Sequence, residues 1–408
     1  MNTALGHLRV LDMSRILAGP WASQILADMG AEVIKIERPD QGDDTRSWGP
    51  PYARDQQGQD TSESAYYLST NRGKKSVTVD ITQKAGQNII CQLARESDVV
   101  LENFKVGGLK KYGLDYESLK KINPQIIYCS ITGFGQTGPY ANRPGYDFAI
   151  QGMGGLMSIT GQPDEVPGGG PQKVGVALAD ITSGLYATIA ILAALVNRYE
   201  TGEGQYIDLA LLDVQTAVLA NQAMNYLTTG QAPGRLGNEH PNIVPYQSFA
   251  TENGYIILAV GNDTQFKRFC ELANHAELAN DLRFTTNRER VRNRVILIPI
   301  IEKIMRQKSS EEWLQKLDEE NIPCGPINTI DKVFANEQIQ HRGMQLRMGH
   351  PVAEEISMVA NPIQFSKTPN KYDRPPPLLG EHTEEILTRL LEMNEAEIEK
   401  LKNTNVIQ

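Results

Sequence analysis

Apolar residues come in short runs through the first third of the chain. Residues 8–13 are a short apolar run of strand length, 32–37 read as the next strand, the β-branched 75–81 as another, and 98–102 and 125–132 follow. Residues 21–29 and 83–96 lie between them with helical spacing, the first closed by Gly30. Strands that alternate with helices predict a parallel sheet with helices on its faces, an α/β unit of Rossmann-like kind. Ligands in such sheets bind beyond the carboxyl ends of the strands. That rule puts residues 14–19, Arg38, Asn103, Phe104 and 133–138 near one edge.

Further along, the pattern loosens and then changes. Glycines gather at 152–155 and 161–170 and predict loops or close backbone approaches. Residues 181–200 predict a long Ala-rich helix that stops at Thr201 and Gly202, and 205–210 predict a strand. Alternation over 246–260, with Glu252, Asn253 and Gly254 at its centre, predicts a β-hairpin, and charged helices follow over 263–317. A large domain is therefore expected over 1–224 and a smaller α+β domain over 225–330. The return segment, 331–408, carries the stiff RPPPLLG stretch at 374–380 and a charged helix over 383–402.

The chain has 408 residues, 40% apolar and 22% charged, with a net charge of −9. That balance disfavours nucleic acid as the main partner but leaves room for a local basic pocket. The start of the chain has no signal-type or transit-type pattern, and the apolar stretch at 185–196 reads as too short for a bilayer. A cytoplasmic protein without a membrane partner is expected. The four cysteines (Cys91, Cys129, Cys270 and Cys324) are far apart and form no metal-ligand spacing, so no metal is expected. GxGxxG, GxxxxGK[ST] and GxSxG are absent, which argues against nicotinamide dinucleotides, ATP and a serine nucleophile elbow.

Asp180 stands directly before the long predicted helix. On sequence alone it reads first as an N-cap. The same place also suits a nucleophile: a helix start favours the ionised carboxylate, its free N–H groups can stabilise an oxyanion, and Ala177, Ala179, Ser183 and Gly184 leave room for a substrate. Attack of such a carboxylate on a thioester gives a mixed anhydride. Arg38 reads as a partner of Asp40 or Asp43, or as a phosphate clamp. Arg46, Arg72, Lys74 and Lys75 bracket Tyr66 and Tyr67 in a polar loop that is either solvated or an anion pocket. Tyr146 and Asp147 sit in a turn, with Asp147 a cap for the next helix or a group facing the reacting carbonyl. His240 is a lone loop histidine, for which a structural role is favoured.

Taken in order, several motifs resemble the family III CoA-transferases (CaiB/BaiF type) along nearly the whole chain. They are LRVLD at 8–12 with AGP at 18–20, GAEVIKIERP at 30–39, residues 98–104 and 130–139, Asp180 before its helix, TGEGQ at 201–205 and LLGEHT at 378–383. The segments DDTRSWGPP at 43–51, YYLSTN at 66–71, IVPYQ at 243–247 and RPPPLLG resemble members that use dicarboxylic acids, which implies a succinyl-CoA-like donor.

The resemblance implies that Asp180 is the nucleophile. It places Leu17, Ala18, Arg38, Val79, Asn103, Phe104, Lys105 and Lys111 against CoA, with Tyr146 and Asp147 beside the thioester. Arg46, Arg72 and His240 become substrate-binding candidates. Formyl-CoA transferases carry Gln, Lys and Glu where this chain has Leu17, Pro144 and Asp147, which argues against formyl or oxalyl specificity. Related racemases carry a catalytic His where this chain has Tyr146, a poor base at neutral pH. A racemase and a non-catalytic acyl-CoA-binding protein are the alternative readings. The resemblance also implies a large domain with its sheet built from both chain ends, an interlocked homodimer, CoA thioesters and small carboxylic acids as substrates, and no permanently bound cofactor.

Overall fold

The early apolar runs pair edge to edge in one parallel sheet in the computed structural model, which describes residues 3–408. Its strands are β1 (Arg9–Asp12), β2 (Glu32–Glu37), β3 (Lys74–Thr78), β4 (Val99–Glu102), β5 (Ile127–Thr132) and β6 (Tyr206–Ala210). Their spatial order is 3-2-1-4-5-6, the doubly wound order of dinucleotide-binding sheets. Leu11 lies opposite Ile34 on one side and Val100 on the other. Four helices matter below: α1 (Ala18–Asp28), α2 (Lys84–Arg95), α3 (Asp147–Met153) and α4 (Leu178–Thr201).

Side chains alternate across a strand, so a sheet covered on both faces must be apolar at consecutive positions. Leu11, Ile34, Val77 and Val100 point into one core with α2. Val10, Val33, Val99 and Leu101 point into the other, under α1 and α4. At 24 residues, α4 is long and apolar enough to cross a membrane, longer than the sequence reading allowed. Here it is a packing helix, with Ala179, Ser183, Ala187, Ile191 and Ala194 buried. Gly184 lets α1 approach: a Cβ there would come within 2.7 Å of the Ala18 carbonyl oxygen and 3.0 Å of the Trp21 Cβ.

The chain divides into two units. The large one holds the residues up to Leu156, Val174–Met224 and Glu337–Gln408. All six strands of its sheet come from residues 9–210. The far end of the chain therefore adds helices to the unit and no strand to the sheet, in contrast to the expected sheet from both ends. The single helix expected over 383–402 is two, Thr383–Leu391 and Glu395–Asn403. Glu392 turns left-handed at φ 56°, and Asn394 starts the second helix through a capping box with Glu397. Beyond it, the Asp80 N–H donates to the Val406 carbonyl (2.7 Å) and the Thr78 hydroxyl to that of Gln408 (3.0 Å).

The small unit comprises Met157–Lys173 and Asn225–Asn336. Its three-stranded antiparallel sheet contains the hairpin Tyr246–Ala250 and Tyr255–Ala259 with Cys324–Pro326 at the edge. Phe249, Ile256, Phe266, Phe269 and Trp313 form its core. Residues 157–173, which the sequence reading kept with the large domain, are tied into the small unit. Arg235 pairs with Asp164, and the Gly237 N–H donates to the Gly161 carbonyl (3.0 Å).

Candidate active site

Strand order reverses between β1 and β4, so the loops leaving their carboxyl ends diverge and open a crevice. Asn103, just past β4, ties the two loops together: its side chain accepts from the Arg15 N–H (2.9 Å) and donates to the Arg15 carbonyl (2.7 Å). The resulting cleft, about 850 Å³, runs along the sheet edge. Leu17, Ala18, Arg38, Val79, Asn103, Phe104, Lys105, Lys111, Tyr146 and Asp180 all line it. Asp147 is not among the lining residues.

Asp180 is the third residue of α4 and caps nothing. The residue before the helix is Ala177, which offers no side-chain cap. That corrects the N-cap reading. Asp147 supplies the cap instead, from the first turn of α3. Its Oδ1 accepts from the N–H groups of Ala179 (2.8 Å) and Asp180 (3.4 Å), and its Oδ2 accepts from Gln151 Nε2 (2.7 Å). The Ile181 N–H donates to the Ala177 carbonyl. The amides at the start of α4, expected as oxyanion donors, are therefore occupied.

Free N–H groups lie at the start of α1. That helix has no side-chain cap, and among the described residues the Ala18 and Gly19 N–H groups have no acceptor. α1 packs closely on α4 through Gly184, one turn along from Asp180.

The Asp180 carboxylate accepts no hydrogen bond and forms no ion pair among the described residues. Burial first, and then the charge of Asp147, push its pKa up to about 7. Tyr66 feels the same corner. Burial and then Asp180 and Asp147 raise its phenol to about 12, and its ring meets Trp48 edge-on at 5.2 Å. Sequence reasoning named neither as a site residue. The available signal was two aromatic positions inside a Pro-rich polar loop, which looks the same when the loop is only solvated.

Arg46 and Arg72 do not reach the cleft. Arg46 donates to both oxygens of Glu37 (2.8 Å each), pairs with Glu63 (3.4 Å) and stacks on the Tyr67 ring. Arg72 forks onto both oxygens of Asp28 (2.8 and 2.7 Å). Both guanidinium groups are buried and committed to carboxylates, so neither can hold a substrate. Lys74 is buried against Asp12 (3.2 Å), and Lys75 pairs with Glu32 and Glu385, which removes the anion pocket read around them. His240 belongs to the small unit, where its Nδ1 accepts from the Asn242 N–H (3.0 Å).

Arg38 pairs with neither Asp40 nor Asp43. It bonds Gln41 (2.7 Å), while Asp43 is taken by the buried Lys35 (2.9 Å). Arg38, Lys105 and Lys111 thus line the cleft with no carboxylate at ion-pair distance among the described residues, a set suited to phosphates. No group of three or more His, Cys, Asp or Glu side chains that could hold a metal occurs among the described residues.

The model of CoA-transferase family III matches residues 5–383. The chain belongs to that family. Among family III relatives, the succinate–glutarate CoA-transferase of Agrobacterium fabrum is 51% identical over 386 residues, 95% of each chain. The succinyl-CoA:glutarate CoA-transferase of Mus musculus is 45% identical over 99% of this chain and 90% of its own. A CaiB/BaiF family protein from Brucella suis, solved by crystallography, superposes with a TM-score of 0.83 at 51% identity, covering 96% of this chain and all of that one. The family III chain described here is thus a CoA-transferase, an enzyme whose substrates are CoA thioesters.

Proposed function

We propose that this enzyme moves CoA from succinyl-CoA, or a donor like it, to a dicarboxylic acid of glutarate type, with Asp180 as the transient acyl carrier. The observation that carries this reading is the bare Asp180 carboxylate in a cleft large enough for CoA. The relatives named for succinate and glutarate supply the substrate class.

An Asp180 oxygen attacks the thioester carbonyl carbon, the C–S bond breaks, and a mixed anhydride and CoA thiolate result. The thiolate then attacks the aspartyl carbonyl, releasing the donor acid and leaving an aspartyl–CoA thioester. The acceptor carboxylate attacks that thioester and regenerates thiolate beside a second anhydride. Attack of the thiolate on the acceptor's acyl carbon yields the new acyl-CoA and frees Asp180. The Ala18 and Gly19 N–H groups are the donors available for the oxyanions, and a helix start adds its favourable field. Arg38, Lys105 and Lys111 hold the phosphates of CoA.

A homodimer fits the surface of α4. Leu185, Ile189, Val196 and Tyr199 are exposed along it, 44 to 66% each, a stripe that a second copy would cover. The test of the reaction is hydroxylamine added during turnover with succinyl-CoA, followed by peptide mass spectrometry. A hydroxamate on Asp180 supports the acyl carrier. Turnover with an unmodified Asp180 rejects it.

A further inference from the structure

A second cavity of about 300 Å³ opens in the large unit beside the carboxyl end of β4. Phe104, Lys105, Val106 and Gly108 line both it and the cleft, but neither Asp180 nor Arg38 lines it. Glu102, the last residue of β4, does line it and is only 6% exposed. Its Oε2 accepts from the Phe104 N–H (2.7 Å). Ser130, itself bonded by Gln136 Nε2 (2.9 Å), adds a second hydrogen bond. No cation pairs with Glu102 among the described residues. Burial outweighs the two hydrogen bonds and pushes its pKa up to about 7. Other buried acids at the ends of these strands have a cation each: Asp43 has Lys35, and Glu37 has Arg46. A desolvated carboxylate without one is costly.

Three tyrosines line the same cavity. Tyr128 and Tyr206 come from β5 and β6, and Tyr116 opens the single helical turn Tyr116–Leu119. Their ring centroids form a triangle with sides of 5.3, 5.7 and 6.0 Å. The Tyr128 hydroxyl is committed to the Leu114 carbonyl (3.1 Å). Aromatic faces attract ammonium groups, more so away from water, and Lys120 Nζ already stands 5.5 Å from the Tyr116 centroid. Asp115 and Glu117 add negative charge, while Lys105 and Lys110 are exposed, where water and salt screen them. No group of side chains that could hold a metal occurs among the described residues, so the fitting cation is organic. We infer that this cavity binds a small organic ammonium ion, with its N–H groups on the Glu102 carboxylate and its carbon body against Tyr116, Tyr128 and Tyr206.

The test is a saturation-transfer NMR titration of the full chain with n-butylammonium chloride, at matched ionic strength, beside n-butanol as the uncharged probe of the same shape. The ammonium should bind with a millimolar Kd, and butanol roughly tenfold more weakly or worse. Glu102→Gln keeps an oxygen for the Phe104 N–H and should weaken ammonium binding roughly tenfold or more. Tyr206→Leu should weaken it roughly two- to fivefold. Asp180→Asn removes the bare carboxylate of the cleft and should leave it unchanged. The inference is overturned if the ammonium does not bind wild type, if butanol binds equally well, or if a folded Glu102→Gln binds like wild type. It is equally overturned if Asp180→Asn abolishes binding, which would put the cation in the cleft. Should Glu102→Gln fail to fold in a circular-dichroism melt, Tyr206→Leu decides, and unchanged affinity there rejects the site.

Discussion

Two buried acidic regions of the large unit are built in opposite ways. Beneath the carboxyl end of β2, Glu37 and Glu63 surround Arg46, and Asp43 holds Lys35. Against the cost of burial, Lys35 and the Thr45 hydrogen bonds hold Asp43 down to about 2. At the start of α4, Asp180 has neither cation nor donor among the described residues and is pushed up to about 7. A carboxylate that is fully partnered has no lone pair to spare and is stable. One that is desolvated, unpartnered and beside another carboxylate is a ready nucleophile once ionised. The first region builds the wall of the cleft, and the second acts within it.

Four experiments test that contrast. Removing the bare carboxylate should cost the most activity and the least fold: Asp180→Ala is expected to lower transfer by roughly 10⁴-fold or more while its melting temperature stays close to wild type. Chromatography of the CoA products and a circular-dichroism melt check both halves. Breaking the partnered region should do the reverse. Arg46→Ala leaves Glu37 and Glu63 buried without their cation and should cost about 3–5 kcal/mol of stability, measured by urea unfolding.

The pH profile is the third test. Asp180 must be ionised to attack, so kcat/KM should fall about tenfold per pH unit as pH drops below about 7. Asp147→Asn removes the neighbouring negative charge and keeps an oxygen to accept from the Ala179 N–H. The acid limb should therefore move to lower pH, by less than the full shift, because burial is the larger cause. A limb that stays in place would assign it to another group. The smallest effect expected is that of Arg38→Ala, a roughly five- to tenfold rise in KM for the acyl-CoA with unchanged melting, since Arg38 is exposed and has no carboxylate at ion-pair distance among the described residues.

The sheet was legible because its strands are covered on both faces and carry consecutive apolar residues, as Val10 and Leu11, Val33 and Ile34, and Val99, Val100 and Leu101 show. The crevice followed from topology alone, since loops at the carboxyl edge had to hold Arg38, Asn103 and Phe104. The loop arginines were misread for a physical reason. A guanidinium carries the same letter whether it faces water or a carboxylate, and the partners of Arg46 and Arg72 lie 9 and 44 residues earlier. The cap on α4 was hidden likewise, because Asp147 reaches it from 32 residues away. Asp180 itself came from the order of surrounding motifs. Its local context favoured a cap, which the structure assigns to another aspartate.

The Val406 and Gln408 carbonyls that bind Asp80 and Thr78 span more than 300 residues of chain, and Asn405 beside them lines the cleft. A ribosome makes the sheet strands well before this seam. Until residues 405–408 have emerged, the end of the crevice near Arg38 and Asp80 lacks one of its walls. Contacts of such sequence separation form slowly. The nascent chain can therefore hold a folded sheet well before it holds a finished binding site.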